Sequence, residues 1–512
     1  MRTKNVAYGS MATAILSLVT MIAGLIIPRQ IILAFGSEIN GISNSITQFI
    51  SYFSLLEAGL AGSAIFSLYK PIATKDQAMI NGILSASKQY YNRIALLYLG
   101  SVVLFSVIFS LTQNVALSQS HLLLLSLAIG LGGVLEFSTM AKYRVLLTAS
   151  QKTYVVALAT SASIVVKVGV LYIALGLGSG IITIKALTGL TILVRSVILY
   201  LYVKRNFKDA SFTEKPNHGD LQQRGDVLLI QLLGTVQKAF PTVAMTLTGI
   251  PYTNISIYTV YMSVIIGVRS ILDIFLNSSI YSTFGEVISL GQYDVLKKAL
   301  DAFETICYFV ISVLIGCLLV LFIPFMRIYS LGMDDANYIQ TRLAYLLVFS
   351  TFIAVIRYPL SSMIQAAGHY RKTRARNITQ AVIAVALSLA LSKPFGMYGL
   401  LIGFLVSDLY FTVVVFHYVP NRITRTSSWV SLKRVAVTTA SILVSWLSFV
   451  RFFTYNPTNY FSWFLLAAGV GLWCFAITFL FNLVFNSKEM KDLGAKGKEI
   501  LYKLGILGEK KF

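Results

Sequence analysis

A chain of 512 residues that is 56% hydrophobic and 12% charged, with a mean hydropathy of +0.75, cannot cover its apolar surface with polar groups in water. These values exclude a soluble globular enzyme and make lipid the solvent. The formal net charge of +22 does not signal nucleic acid, because the basic residues are distributed as a membrane protein distributes them.

A membrane-crossing helix needs about 20 mainly apolar residues. Fourteen such spans follow one another, at 10–34, 42–69, 91–111, 121–147, 154–175, 181–203, 226–248, 255–284, 302–325, 341–367, 377–392, 397–419, 434–454 and 460–485. The fold class expected is an all-α polytopic membrane protein. Cytoplasmic loops retain Lys and Arg. Arg2 and Lys4 precede the first span, and basic residues recur after every even-numbered span, from Lys70 and Lys75 through Arg371 to Arg374 and Arg422 to Arg434. Seven lysines from Lys488 to Lys511 end the chain. The other side carries only Arg327, Arg342, Lys393 and Arg451, so 31 basic residues against 4 place both termini in the cytoplasm. The positive side then faces the anionic inner leaflet. No cleavable signal peptide is expected, since the first span is long and lacks a small-residue cleavage site. Cys307, Cys317 and Cys474 lie in spans and read as small buried apolar side chains.

An internal duplication is visible. Pro28 in the first span and Pro241 in the seventh lie 213 positions apart, Glu57 and Asp273 lie 216 apart, and Ala149 and Ala367 lie 218 apart. Six spans per copy is an even number, so both copies share one orientation and are related by an axis along the membrane normal. The expected organisation is a six-helix lobe (1–205), a cytoplasmic linker (206–225), a second six-helix lobe (226–420), two additional spans (421–485) and a basic amphipathic tail (486–512). That tail spaces Met490, Leu493, Ile500, Leu501 and Leu504 among its lysines, as an interfacial helix does.

At about 100° per residue, polar residues form stripes on four spans. The first has Ser10, Thr13, Ser17, Thr20, Gly24 and Pro28, and the second has Asn44, Thr47, Gln48, Ser51 and Ser54, flanked by Glu57. The seventh has Gln231, Thr235, Lys238 and Thr242, and the eighth has Thr259, Ser263, Ser270, Asp273 and Asn277. Stripes on paired spans of two repeats are expected to line a cavity between the lobes. Pro28 and Pro241 each remove a helix hydrogen bond and are expected to kink their helices at corresponding places, a pointer to a transport site near the midplane.

Charges at bilayer depth cost about 3 kcal/mol each on the mildest scale, so each needs a reason. The bases are Arg29, Lys167, Arg195, Lys238, Arg269 and Arg357, and the acids are Glu57, Glu136, Asp273 and Asp408. Arg269 and Asp273 are four apart and suited to mutual neutralisation, and Arg195 is expected to snorkel to the inner interface. The remaining cationic excess in a low-dielectric cavity suits an anion, and Arg suits phosphate oxygens. Arg29, Lys238, Arg269, Gln48, Gln231, Asn277 and Arg357 are therefore the candidate substrate-binding residues, with Glu57, Asp273, Asp408 and Lys167 as candidates for coupling or charge pairing.

The segment PRQIILAFGSEINGISNSITQFISYFSLLEAGLAGSAIFSLYKPIATKD, residues 28–76, resembles the first two helices of bacterial polysaccharide repeat-unit flippases, the O-antigen and capsule flippases of the multidrug/oligosaccharidyl-lipid/polysaccharide exporter superfamily. The resemblance extends over the chain in helix count and in the 6+6+2 organisation. It implies a multi-pass carrier of the bacterial cytoplasmic membrane. Such a carrier moves an undecaprenyl-diphosphate-linked oligosaccharide to the outer leaflet by alternating access, beside polysaccharide polymerase and glycosyltransferase partners. By similarity Arg29 matches the basic position of the first helix, while Lys238 and Arg269 match only a basic residue in the seventh and eighth.

The competing reading is a cation-coupled multidrug exporter of the same superfamily. That branch resembles itself in carrying an acid in the first helix, where this chain has Arg29. A membrane-embedded polymerase or glycosyltransferase would need a large outward loop with acidic or metal-binding residues. Here Asp334 and Asp335 alone stand close together, in what reads as a solvated turn. His121, His218, His369 and His417 show no metal-ligand spacing, and no nucleotide-binding glycine motif occurs, so no cofactor is expected. Proton or sodium coupling would fall to the acidic residues.

Overall fold

The computed structural model describes residues 2–57, 60–113, 115, 117–216, 225–275, 278–452, 457–487 and 489–490. Asn277, most of the tail and residues 217–224 of the linker lie outside the described residues, and at Gln231 and Asp273 only the backbone is described. The described residues are almost wholly helical. The order is α1 (Arg2–Ser51), α2 (Leu60–Thr74), α3 (Gln77–Thr112), α4 (Gln119–Leu135), α5 (Ala141–Ala149), α6 (Thr153–Gly176), α7 (Ile181–Leu190), α8 (Ile192–Asn206), α9 (Gly225–Leu247), α10 (Tyr252–Phe275), α11 (Ser278–Ser289), α12 (Tyr293–Tyr329), α13 (Thr341–Ile356), α14 (Tyr358–Ala366), α15 (Tyr370–Val419), α16 (Ser428–Phe452) and α17 (Tyr460–Phe485). Eleven segments among the described residues are long and apolar enough to cross a membrane. Two of them, Tyr8–Thr74 and Tyr370–Thr424, each hold two predicted spans, and α9 supplies the seventh predicted span.

The surface is inverted relative to a soluble protein, as lipid requires. On α3, Leu97, Leu104 and Leu111 recur at a seven-residue spacing with 60 to 66% exposure, whereas Ser87, Ser106 and Ser110 on the same helix are buried. The buried hydroxyls stay satisfied by bonding back to their own helix, as Ser87 does to the Ile83 carbonyl and Ser106 to the Val102 carbonyl.

Glycines make the reversals. The backbone stays helical through Pro28 and leaves the helical region at Gly36, with φ 86° and ψ 167°, inside α1. Gly249, between α9 and α10, also has positive φ (71°) and lies 213 positions later, the offset that relates Pro28 to Pro241. The two copies thus turn at corresponding glycines. Gly396 (φ 57°) breaks α15 in the same manner.

The chain forms two compact units. One contains Met1–Ile274 with Gly332–Ala336 and Ala384–Leu400, and its core holds Ile42, Ile46, Ile83, Leu84, Leu122, Leu125 and Val145, all fully buried. The other contains Phe275–Leu331, Asn337–Ile383 and Leu401–Phe512, with Leu296, Leu360, Met363, Val415 and Val419 at its core. In the first unit, small residues let helices touch at backbone distance. A Cβ added at Gly133 of α4 would stand 2.1 Å from the Tyr98 hydroxyl of α3, and one at Gly41 of α1 would stand 1.9 Å from the Tyr252 carbonyl oxygen at the start of α10.

The Gly41 contact is with main chain, which cannot swing aside. Gly41→Ala is therefore expected to destabilise the protein by about 1–3 kcal/mol, the usual cost of overpacking. A lowered melting temperature of the purified protein checks this, with Gly24→Ala as control, since nothing lies within 4 Å of a Cβ there.

Candidate functional site

Polar residues of α1 meet those of α9 and α10 directly, and of the stripes read from the sequence Asn44 and Thr259 take part. Asn40 Nδ2 donates to Ser256 Oγ at 2.8 Å, Asn44 Nδ2 donates to Thr259 Oγ1 at 3.0 Å, and Thr246 Oγ1 donates to Ser45 Oγ at 2.9 Å. The first two pairs are separated by 216 and 215 positions, which is the duplication offset itself. A residue can touch its own repeat mate only beside the axis relating the copies. Further from Gly36, the stripe hydroxyls turn back instead: Thr47 donates to the Ser43 carbonyl, Ser51 to Gln48 and Ser263 to Thr259.

Asp335 lies in an exposed bend, as read, and also has a structural role. Its carboxylate accepts the Ser37 backbone N–H at 2.5 Å and the Ser37 hydroxyl at 2.9 Å, closing the chain reversal just after Gly36. The sequence around Asp334 and Asp335 carries no signal for this, because the partner lies 298 positions away.

The intramembrane carboxylates are engaged. Glu57 pairs with Arg144 and accepts the Tyr91 hydroxyl at 2.8 Å. Glu136 takes Arg195 at 2.9 Å and Arg144 at 3.3 Å from a π-helical turn, Glu136–Met140, inserted between α4 and α5. Arg195, expected to snorkel, is thus held by a carboxylate inside the first unit. Asp408 takes Arg357 at 2.8 Å and Gln380 at 3.3 Å, and Arg357 also donates to Thr412 and to the Asp408 carbonyl. Glu304, absent from the sequence reading, is buried with Arg434 at 2.6 Å and accepts the Ser431 hydroxyl at 2.8 Å. Arg434, read as a loop residue from its neighbours in sequence, is 3% exposed.

Arg29 and Arg269 are half-buried and already engaged with neighbours, and Gln48 is half-buried. Lys238 is exposed on α9, with no carboxylate partner among the described residues.

A cavity of about 360 Å³ opens inside the first unit, walled by α1, α4, α6, α7 and α8. Ile27 and Ile31 of α1 give it an apolar side. The opposite wall carries Thr160, Ser163 and Lys167 of α6, Lys185 and Thr188 of α7, and Arg195 of α8, with Glu136 below α4. The 160, 163, 164, 167, 171 spacing is one helical face, and 184, 185, 188, 192, 195 is another, so the rule used for spans 1, 2, 7 and 8 finds this wall when applied to spans 5 and 6. Lys185 was not among the expected residues. Lys167 and Lys185 both line this one cavity, and neither has a carboxylate partner among the described residues. Three cations against one carboxylate make the wall an acceptor for anions. Among the described residues no cluster of His, Cys, Asp and Glu could hold a metal ion.

No protein-family model matches the chain, and no curated protein does either. Solved structures do match in fold. The lipid II flippase MurJ, in an inward closed conformation, superposes with a TM-score of 0.65 at 14% identity over 94% of this chain and all of that one. The chain has the fold of these membrane transporters. An inward-facing multidrug resistance transporter of the MATE family, of the MOP superfamily, gives 0.61 at 14% identity over 83% of this chain and 98% of that one. A MOP superfamily transporter from Pyrococcus furiosus, described as having a binding pocket of reversed polarity, gives 0.53 at 15% identity over 83% and 96%.

Removing one partner of a buried ion pair costs about 3–5 kcal/mol, whereas replacing both with apolar residues is near neutral. Asp408→Ala is expected to lower stability strongly and Arg357→Met with Asp408→Leu to restore most of it, as read from melting of the purified variants. If the double variant is as unstable as Asp408→Ala, Gln380 and Thr412 hold the site instead of the pair.

Proposed function

We propose that the protein is a flippase that carries undecaprenyl-diphosphate-linked oligosaccharide from the cytoplasmic to the outer leaflet of a bacterial membrane by alternating access. One observation carries this reading. Glu57, Glu136, Glu304 and Asp408 are each matched by an arginine, while Lys167, Lys185 and Lys238 have no acidic partner among the described residues. A diphosphate supplies the missing negative charge, and a site for cationic drugs would need the opposite imbalance. The fold shared with a lipid II flippase supports a lipid-linked substrate, while the fold shared with a multidrug transporter keeps cation-coupled drug export as the second reading.

In this proposal Arg29, Lys238 and Arg269, with Gln48, Gln231, Asn277 and Arg357, form the transport path, and Pro28 and Pro241 loosen its first and seventh helices. The membrane potential assists, since moving one negative charge outward gains about 2.3 kcal/mol per 100 mV. Protons or sodium ions would be carried by Asp273, or by Glu57 or Asp408 on release from their arginines.

Deleting the gene in its host is expected to leave lipid-linked repeat units on the cytoplasmic leaflet. Drug sensitivity with normal surface glycan would favour the second reading. A charge-assisted bond contributes about 1.5–3 kcal/mol, so Arg29→Ala and Lys238→Ala are each expected to lower export about tenfold or more at normal protein abundance. Export unchanged in both variants sinks the assignment. Equal loss in Arg29→Lys and Arg29→Ala shows that fork geometry, not charge alone, is needed.

A further inference from the structure

We propose that the cavity within the first unit is a separate oxyanion site, in which Lys167 and Lys185 bind one phosphate or diphosphate group. It lies inside the first six predicted spans, among α4, α6, α7 and α8, and meets the stripes of α1 only at Thr47, so it is distinct from the path along α9 and α10 described above. It shares with that reading only the charge imbalance.

Three features of the cavity point to an anion. The carboxylate on its wall, Glu136, is already taken by Arg195 and Arg144 and leaves the lysines uncompensated. The wall hydroxyls have spent their protons on backbone carbonyls: Thr160 on Val156, Ser163 on Thr191, Thr188 on Ile184 and Thr191 on Thr188. What remains to donate is the pair of ammonium groups, with three N–H each, and the Arg195 Nε–H, which is buried without a partner. Two like charges lining one hollow are stabilised when an oxyanion enters it. The volume of about 360 Å³ accommodates a phosphate group with several waters, each of which takes about 30 Å³ of liquid volume. The same chemistry fits a phospholipid headgroup or a free phosphate.

The test uses the full-length protein in nanodiscs of phosphatidylcholine, melted with increasing inorganic diphosphate at constant ionic strength set with sodium chloride. Anion binding raises the melting temperature by linkage. Lys167→Gln and Lys185→Gln are each expected to weaken this response about tenfold, as loss of one charge-assisted contact implies. Lys185→Arg retains it, and Lys238→Gln leaves it intact. Both Gln variants are also expected to melt higher than the unsubstituted protein without diphosphate, because an unmatched charge has been removed. In nanodiscs containing phosphatidylglycerol, a headgroup that fills the site raises the unsubstituted protein's melting temperature and blunts the diphosphate response. If only free diphosphate binds, the two lipid compositions give the same curves.

An unsubstituted protein indifferent to both anions overturns the proposal. So does a diphosphate response that survives both Gln variants, or a lowered melting temperature of both variants without ligand, which marks the lysines as structural. A response lost instead in Arg29→Ala and Lys238→Ala overturns this site while leaving the transport reading in place. Normal export in the deletion strain does the reverse.

Discussion

The cost of an uncompensated charge in hydrocarbon governs where each ionisable side chain of this protein can stand. At about 3 kcal/mol or more per charge, an arginine at bilayer depth needs a carboxylate, and the described carboxylates at that depth have each drawn one. The choice of base is not incidental. Arg144 bridges Glu57 and Glu136, Arg357 spans a carboxylate, a carbonyl and a threonine, and Arg434 contacts Asp301, Glu304 and Glu489. A planar fork with five donors can serve several acceptors at once, which a single ammonium cannot. The arginines therefore knit helices together, and lysines are left where the wall faces a hollow.

Glu136 shows how local backbone serves this economy. A π-helical turn adds a residue to the helix at that point, and such insertions concentrate at functional places. Its carboxylate reaches α8 through Arg195 and the start of α5 through Arg144, so one acid ties three segments around the cavity. Close helix approach does the rest. Gly132 of α4 and Gly189 of α7 face each other, and the space between them is small enough that a Cβ added at either would reach the other's backbone at 3.6 to 3.9 Å.

Much of the fold was legible because its causes are local. Apolar length gave the spans; the breaks at Gly36, Gly249 and Gly396, where φ is positive, were not expected, since the kinks were assigned to Pro28 and Pro241. The duplication was legible too, and its mates Asn40 and Ser256, or Asn44 and Thr259, prove to touch. The site was legible only in part. Arg434 looks like a loop residue because its burial is set by chain brought from 130 positions away, and Asp335, a bend residue, finds its Ser37 partner 298 positions away. Arg195 resembles an interfacial residue until Glu136 is seen beside it. Lys185 sits in a short apolar helix near a presumed loop, where hydropathy averages hide one lysine, yet its register with Thr188 and Arg195 was readable as a face.

The two classes of polar contact differ in how easily they exchange. Interhelical bonds between neutral side chains in membranes contribute about 0.6 kcal/mol each, so the three linking α1 to α9 and α10 amount to about 2 kcal/mol. A ligand must discriminate between two states by about 5.5 kcal/mol to swing a population from 1:99 to 99:1, and a contact of that smaller size leaves such a shift within reach. The arginine pairs lie on the other side of the comparison, because breaking one costs about 3–5 kcal/mol. Charge holds helices within each unit, whereas amide and hydroxyl close the faces of the repeats near their axis. The arginine clusters are therefore the firm joints of the structure, and the amide and hydroxyl contacts are the ones that exchange at small cost.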